Sequence, residues 1–501
     1  MTRMTPAISW LSKMPQTAIT LSAVFWLAAC SVGPDYQTPA VSLPAQWGEA
    51  KSVKSTEPPQ LSQWWRRLDD PTLNALIEEA VQSNLDVASA KAKIREARAQ
   101  YRQAGGTLLP SVEGSGSATR DKSGLSTSTS SRPYNQFQAG LDASWELDLF
   151  GANRRSVEAA GYGMDAAEEE LRSTLLTLVG DIASNYAAAR GYQARIDLAR
   201  RTAASQRETA GLIRDKFEAG ASSAVDVANA TGQASSTEAD IPTLESGYAE
   251  AVHRLGVLTG RVPAALVERL ARVAPIPSPR LPIPTGVPAD ILLSRPDVRL
   301  AERQLAQYTA MIGQAEAARY PSISLVGSVA TSSTRIGDLA KNSSISWSFG
   351  PSLNVPIFNG GQLKAAVDIA EAQRDQYYLA FRSSVLTALE DVENATIALA
   401  QERIREEKLA SSVTAYREAA TLARSLYQTG SSSFLDQLDA ERSLYSAEDS
   451  FIQSRIAIAN DYIALNKALG GGWDGVIDAS TPEIVDTDTG PHAAATDNSK
   501  P

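Results

Sequence analysis

The chain is written twice over, at an offset of about 210 residues. Asn84-Leu85-Asp86 matches Arg295-Pro296-Asp297, Leu109-Pro110-Ser111 matches Tyr320-Pro321-Ser322, and Leu149-Phe150-Gly151 matches Ile357-Phe358-Asn359. Phe217-Glu218-Ala219-Gly220 matches Tyr427-Gln428-Thr429-Gly430, and Leu258-Thr259-Gly260 matches Ala468-Leu469-Gly470. These matches keep one order and nearly one offset, so they mark an internal duplication. Each half reads helix, strand, loop, strand, long helix, turn, helix.

The strands constrain the fold further. From Phe137 to Leu149 the odd positions are Phe, Ala, Leu, Ala, Trp, Leu and Leu; the even ones are Gln138, Gly140, Asp142, Ser144, Glu146 and Asp148. That is period-two alternation, apolar on one face and polar on the other. In the second half Ile345, Trp347, Phe349, Leu353, Val355 and Ile357 alternate with serines and Asn354. Its partner strand sets Ile323, Leu325 and Val329 against Ser322, Ser324 and Ser328. The corresponding strand near Val112 is richer in Gly and Ser. A soluble sandwich would want many short strands, and this pattern offers two in each half. So few strands cannot close a barrel around a wet pore, and a bilayer forbids open sheet edges. Several copies sharing one barrel solve both problems, and three copies give an even number of strands. The Ser/Thr-rich loops Arg120–Gln136 and Thr331–Ser343 are then outward-facing.

Much of the remainder is long helix. Ala152 to about Glu218 and Gly361 to about Gln428 contain no proline, and each spans roughly 100 Å at the α-helical rise. Val385, Leu389, Val392 and Leu399 keep coiled-coil-like spacing. Gly220-Ala221-Ser222 and Gly430-Ser431-Ser432 reverse the chain into return helices, since glycine accepts the left-handed backbone such a stop needs.

The N-terminus is an address. Arg3 and Lys13 are the only charges in the first 29 residues, and the apolar run Ala18 to Ala29 is a secretory signal too short to span a membrane. It ends in Leu27-Ala28-Ala29-Cys30, which resembles a bacterial lipobox. In that pattern cleavage precedes the cysteine, which then carries a lipid; Cys30 is the only cysteine of the chain. The lipid is a hydrophobic anchor, and Ser31 resembles the outer-membrane sorting choice. A net charge of −10 argues against a nucleic-acid partner. One cysteine allows no intramolecular disulfide and no cysteine-cluster metal site, and His253 and His492 are the only histidines. Carboxylates are scattered along helices with no catalytic spacing, so the chain reads as no enzyme, with no catalytic residues, no metal site and no cofactor beyond the lipid on Cys30.

These residues resemble the outer membrane efflux protein family, the TolC-type outer membrane factors, and within it the lipid-anchored branch that partners RND pumps. The resemblance rests on Cys30-Ser-Val-Gly33-Pro34-Asp35-Tyr36, Pro39, Trp47, Trp64-Trp65, Asp70-Pro71-Thr-Leu73 and Asn84-Leu85-Asp86. In the second half it rests on Ser294-Arg295-Pro296-Asp297-Val298, Val355-Pro356-Ile357-Phe358-Asn359-Gly360-Gly361, Tyr427, Gly430 and Leu438-Asp439-Ala440-Glu441-Arg442. It runs from the lipobox to about Trp473, carried by order and spacing rather than by any single motif.

The resemblance implies a homotrimer sharing a twelve-stranded membrane β-barrel above a twelve-helix periplasmic α-barrel, with two repeats per chain. It also implies a periplasmic adaptor and an inner-membrane RND transporter as partners. The chain would then be the passive exit duct for drugs or other small molecules, lipid-anchored in the outer membrane and reaching into the periplasm. The turns at Gly220, Ala221, Ser222 and at Gly430, Ser431, Ser432 correspond to the places where adaptor hairpins dock. Leu435, Asp439 and Arg442 share one helix face by their i, i+4, i+7 spacing. Their family equivalents line the closed periplasmic aperture, where pairs from Arg442 across chains could hold the end shut. The first half has Val225, Asn229 and Gly232 there, without charges, and Asp436 lies one residue off the face. The plain alternatives are a helix C-cap and a solvated face whose ion pair is worth under about 1 kcal/mol.

The expected organisation is a signal at 1–29, an anchored segment at 30–72, a first repeat at 73–260, a Pro-rich linker at 261–288, a second repeat at 289–473 and a polar tail at 474–501. Rival functions are a type I protein secretion or metal-ion efflux duct, and a structural coiled-coil lipoprotein. The lipobox favours the drug-efflux branch, and five Met with two His leave little for a soft-metal relay. The coiled-coil reading leaves the membrane-type strands unexplained.

Overall fold

The computed structural model describes residues 31–40, 61–122, 133–279 and 295–481. The signal and Cys30 lie outside the described residues, as do 41–60 of the N-terminal segment, the centre of the first strand loop, 280–288 of the Pro-rich linker, 289–294 of the second repeat and 482–501 of the tail. The helices are α1 Pro71–Ser83, α2 Leu85–Gly106, α3 Ala152–Glu218, α4 Ala224–Leu258, the short α5 Val267–Leu270, α6 Pro296–Ala317, α7 Gln362–Gln428 and α8 Phe434–Ala468. The strands are β1 Ser111–Asp121, β2 Tyr134–Leu147, β3 Ser322–Ser333 and β4 Ile345–Asn354. Two compact units form. One draws on residues up to 40, 96–166 and 301–381; the other on 41–95, 167–300 and 382 onward. Each combines parts of both sequence repeats, so the duplication and the compact units do not coincide.

The duplication is kept element by element. Helices α2 and α6 are each 22 residues long, α3 and α7 each 67, and α4 and α8 each 35. The four strands form one antiparallel sheet in the order β1-β2-β3-β4, which joins the two halves through β2 and β3. Its register sorts the faces. Leu141 pairs with Val329 and Gly114, Trp145 with Leu325, Val329 with Trp347, and Ile323 with Leu353. Asp142 pairs with Ser328 and Glu113, and Ser324 with Ser352, on the other face. Apolar therefore meets apolar across the sheet, and the apolar side is bare: Trp347 is 76% exposed and Phe349 74%. In β1 that side is Val112, Gly114, Gly116 and Ala118, small residues that blur the alternation in sequence without moving the strand.

The strand ends correct the sequence reading. β2 stops at Leu147, so Leu149 does not belong to it. Asp148 is drawn out of the ladder because its carboxylate accepts the backbone N–H of Asn153 at 3.2 Å and of Arg154 at 2.8 Å, capping α3. β4 stops at Asn354, so Val355 and Ile357 lie beyond it; Pro356 has no N–H to give a ladder.

The repeat motifs at 84 and 295 act as clamps. Asn84 Oδ1 accepts from the N–H of Asp86 at 2.8 Å and of Val87 at 3.1 Å, while its Nδ2 donates to the Leu258 carbonyl at 2.9 Å. Arg295 Nη1 donates to the Ala468 carbonyl at 2.9 Å. Leu258 and Ala468 end the two return helices, where carbonyls lack intrahelical partners. The same Arg295 holds Asp297 through Nε at 3.0 Å and Nη2 at 2.7 Å, and Asp391 at 3.1 Å. Burial opposes ionisation of Asp297, but the hydrogen bonds and charge of Arg295 outweigh it and hold the carboxyl below the usual range. Trp64 and Trp65, each 1% exposed, close the N-terminal segment onto the residues after α8. Trp64 Nε1 donates to the Gly471 carbonyl at 3.1 Å, and Trp65 stacks on Trp473.

Asn84→Ala should cost about 2 kcal/mol, a lost cap plus a buried carbonyl left unpaired. Thermal unfolding of the detergent-solubilised protein reads this as a lowered Tm. The Asp297 contribution is present above the ordinary carboxylate range and is lost as pH falls through its depressed value, so Asp297→Asn should flatten the acid limb of the stability profile.

Candidate functional site

Both long helices end in the same device. Gly220 has φ +73° and Gly430 φ +75°. Gly220 N–H donates to the Phe217 carbonyl and Ala221 N–H to that of Lys216, at 2.9 and 2.7 Å; Gly430 and Ser431 repeat this with Tyr427 and Leu426, at 3.1 and 2.8 Å. These are Schellman stops, which satisfy the last carbonyls while the chain turns. The return helices start from capping boxes. Ser223 and Asp226 exchange side-chain and backbone hydrogen bonds ahead of α4, and Ser433 and Asp436 do so ahead of α8. Asp436 is thus engaged in a cap, which accounts for its place off the face of Leu435, Asp439 and Arg442. The Ser223 hydroxyl and N–H hold the Asp226 carboxyl below its usual range.

The turns are accessible and rest on a small core. Gly220, Ala221, Gly430 and Ser431 are exposed, and Ser222 and Ser432 half-buried. Behind them Ala210 and Ile213 of α3, Ala230 of α4, and Phe434 and Leu438 of α8 form one buried cluster, with Tyr427 packed on it. Lys216 Nζ lies 4.1 Å from the Tyr427 ring centroid, linking the two turns.

That core fixes which way the start of α8 faces. Phe434, Gln437 and Leu438 are buried, whereas Leu435, Asp439 and Arg442 are exposed together. The structure brings all three onto one bare face, as their spacing requires. Asp439 and Arg442 come no closer than 3.9 Å, with side chains 76% and 49% exposed, a pair worth under about 1 kcal/mol. Arg442 has a second partner that sequence reasoning missed: its Nε donates to Gln233 Oε1 on α4 of the same chain. One turn on, the Tyr445 hydroxyl donates to Asp240 of α4 at 3.3 Å. Burial first, then the charges of Asp240 and Asp449, push Tyr445 up to about 12, so it stays a donor. Arg195 of α3 grips Asp449 of α8 with two hydrogen bonds, at 2.7 and 3.1 Å. The stripe Arg442, Tyr445, Asp449 thus ties α8 to α3 and α4 of the first repeat. Its signal in sequence was a polar residue every three or four positions.

A groove of about 270 Å3 lies beside this stripe, lined by Arg201, Gln206, Arg417, Arg424, Glu441 and Tyr445 among others. Gln206 is 4% exposed, yet neither polar atom of its amide has a hydrogen-bond partner among the described residues. Among the described residues no cluster of His, Cys, Asp and Glu is placed to hold a metal, and no helix is long and apolar enough to cross a membrane.

A sheet with one bare apolar face, joined to helices of 67 residues, is the architecture of an outer-membrane channel. The model of the outer membrane efflux protein family matches residues 76–261 and 287–471. Nodulation protein T of Rhizobium leguminosarum bv. trifolii is 38% identical over 90% of this chain and 97% of its own. The solvent efflux pump outer membrane protein SrpC of Pseudomonas putida is 34% identical over 91% and 98%. The solved outer-membrane channel OprN superposes with a TM-score of 0.82 at 33% identity, over 89% of this chain and all of its own. The chain belongs to the outer membrane efflux protein family. Its members are channels, not enzymes.

Ser433→Ala should loosen the start of α8 by about 1 kcal/mol, the usual worth of an N-cap. Amide exchange across 434–437 should quicken while the turn at 220–222 is unchanged. Acid should loosen the first turn too, because the stabilisation from Asp226 is lost as pH falls through its depressed value.

Proposed function

We propose that three copies of this chain close twelve strands into one membrane barrel and twelve helices into a periplasmic tube, the exit duct of a tripartite RND-type efflux assembly. The observation that carries this reading is the sheet. It has an apolar side fit for lipid, a polar side fit for water, and in β1 and β4 two edges with no partner strand among the described residues. A second observation supports it. α7 buries Val385, Val392 and Leu399 but leaves Leu379, Leu386, Ile397, Ile404 and Leu422 exposed along its length, an apolar stripe suited to a neighbouring copy. The cargo is drugs or other small organic molecules, moved passively, with selection left to the inner-membrane transporter. The lipobox supports this branch over protein secretion and metal export, and makes Cys30 the lipid anchor in the outer membrane.

In this assembly the turns at Gly220, Ala221, Ser222 and Gly430, Ser431, Ser432 receive the periplasmic adaptor, and the groove under Gln206 offers a polar side contact. Leu435, Asp439 and Arg442 form the periplasmic gate. Rings of leucine and aspartate narrow the mouth, while Arg442 and Tyr445 latch α8 onto α4. In a narrow, partly dry mouth such contacts are worth more than on a free surface.

Replacing Asp439 and Arg442 together with alanine should raise single-channel conductance or opening frequency in planar bilayers, with the oligomer intact. A trace identical to that of the unmodified protein would return these residues to a solvated helix face.

A further inference from the structure

The residues that follow Cys30 are held far more tightly than a tether requires. Val32 N–H donates to the Phe150 carbonyl at 3.1 Å, pairing the strap with the residues just after β2. Arg155, in the first turn of α3, is the centre of the arrangement, its side chain only 5% exposed. Its Nε donates to the Val32 carbonyl at 3.3 Å, and Nη2 to the Gly33 carbonyl at 3.3 Å and to Asp35 Oδ1 at 2.7 Å. Nη1 donates to Glu158 at 2.7 Å. A buried guanidinium is tolerated only when its donors are met, and here residues 32–35 supply most of the acceptors.

Two glycines let the backbones close. Gly33, at φ +86°, lies against Gly313, and Gly151, at φ +85°, against Ser31; a side chain on either would collide with its neighbour. Further along, Glu302 accepts from the Tyr36 hydroxyl at 2.9 Å and from Thr38 at 3.1 Å, and the Tyr36 ring meets Tyr162 edge-on at 5.8 Å.

The duplication supplies an internal control. α7 is the repeat partner of α3, and Gly361 keeps the positive φ of Gly151, at +86°. At the position matching Arg155, however, stands Ala365. The repeat unit therefore builds its strand-to-helix corner without the arginine. The matching corner carries Ile357 and Phe358 bare, at 88% and 92% exposure. Arg155 belongs to the strap, not to the repeat.

We infer that Arg155 is a positioning residue for the lipid-bearing N-terminus, fixing it at the end of β2 so that the acyl chains on Cys30 enter the bilayer directly beside the strands. This rests on the lipoprotein reading of Cys30. One residue reaches at most about 3.6 Å, so a lipid attached next to a pinned Ser31 cannot wander from the sheet. Freeing the stretch ahead of Tyr36, about five residues, would lower the effective concentration of the strands at the membrane by about tenfold, given its −3/2 power dependence on tether length. The clamp is thereby a device for assembly: it turns a lipid tail into a fixed point from which the barrel inserts.

The test is a pulse-chase in cells on the full-length chain, measuring the half-time to the protease-resistant outer-membrane form. The unmodified protein and Arg155→Ala are each made with the native signal and with a non-lipoprotein signal cleaved ahead of Ser31. Labelled palmitate is followed in parallel. The expected result is about tenfold slower insertion of Arg155→Ala in the lipidated pair and no difference in the unlipidated pair. Equal slowing in both pairs would make Arg155 a simple brace of the fold and overturn the proposal, as would no slowing in either. If the unmodified protein takes up no palmitate, the lipoprotein reading fails first, and visibly so. Asp35→Ala serves as the second variant: its side chain is 86% exposed, so α3 keeps its core while the strap loses its 2.7 Å ion pair. It should slow insertion in the same direction, again only when lipid is present; no slowing, or slowing without lipid, contradicts the clamp.

Discussion

A strand edge placed in hydrocarbon leaves a row of backbone N–H and C=O groups without partners, each at a cost of several kcal/mol. β1 and β4 present two such edges in every chain. Most of what this molecule does with its sequence follows from that constraint. The sheet cannot be stable in a membrane alone, so it must be completed by other copies. Of the long helices that lead away from it, α7 carries an apolar stripe of its own that no other described residue covers. Polar residues on the other side of the sheet then have a use, because a barrel of several copies is wide enough to hold water.

Duplication is the economical route to such a molecule. Two copies of one unit provide paired helices of equal length, two hairpins that join through β2 and β3, and two identical helix stops. Once duplicated, the halves could diverge. The charges at Asp439 and Arg442 have Asn229 and Gly232 as their counterparts, and Arg155 has Ala365. Each departure from the repeat marks a place where one half acquired a task the other lacks: α8 the bare charged face beside the turn, α3 the grip on the N-terminal strap.

Much of this was legible in the residues. The long helices run within a residue of where the proline-free stretches and their glycine stops place them, because helix propensity, capping and turn chemistry are local. Alternation marked β2, β3 and β4 for the same reason. It was faint in β1, where Gly114 and Gly116 occupy the apolar side, and only Gly114 has a bulky cross-strand partner, Leu141. Sequence parity also carried β2 too far, since nothing in the alternation announces that Asp148 leaves the ladder to cap a helix. The face of Leu435, Asp439 and Arg442 could be read from spacing, but not the reach of Arg442 to Gln233, which joins helices more than two hundred positions apart. The same holds for Arg155: a lone arginine at a helix start says nothing until the fold lays residues 32–35 across it.

The shared barrel is the claim on which the duct, the gate and the anchor all depend, and the mass of the detergent-solubilised protein tests it most directly. With the bound detergent subtracted, sedimentation or light scattering after mild extraction should return three times the mass of the processed chain, which is the 53.3 kDa of the full sequence less its signal and plus the lipid. A single-chain mass under the same conditions, from protein that still conducts in bilayers, would contradict it, because one sheet of four strands would then be closing a pore by itself.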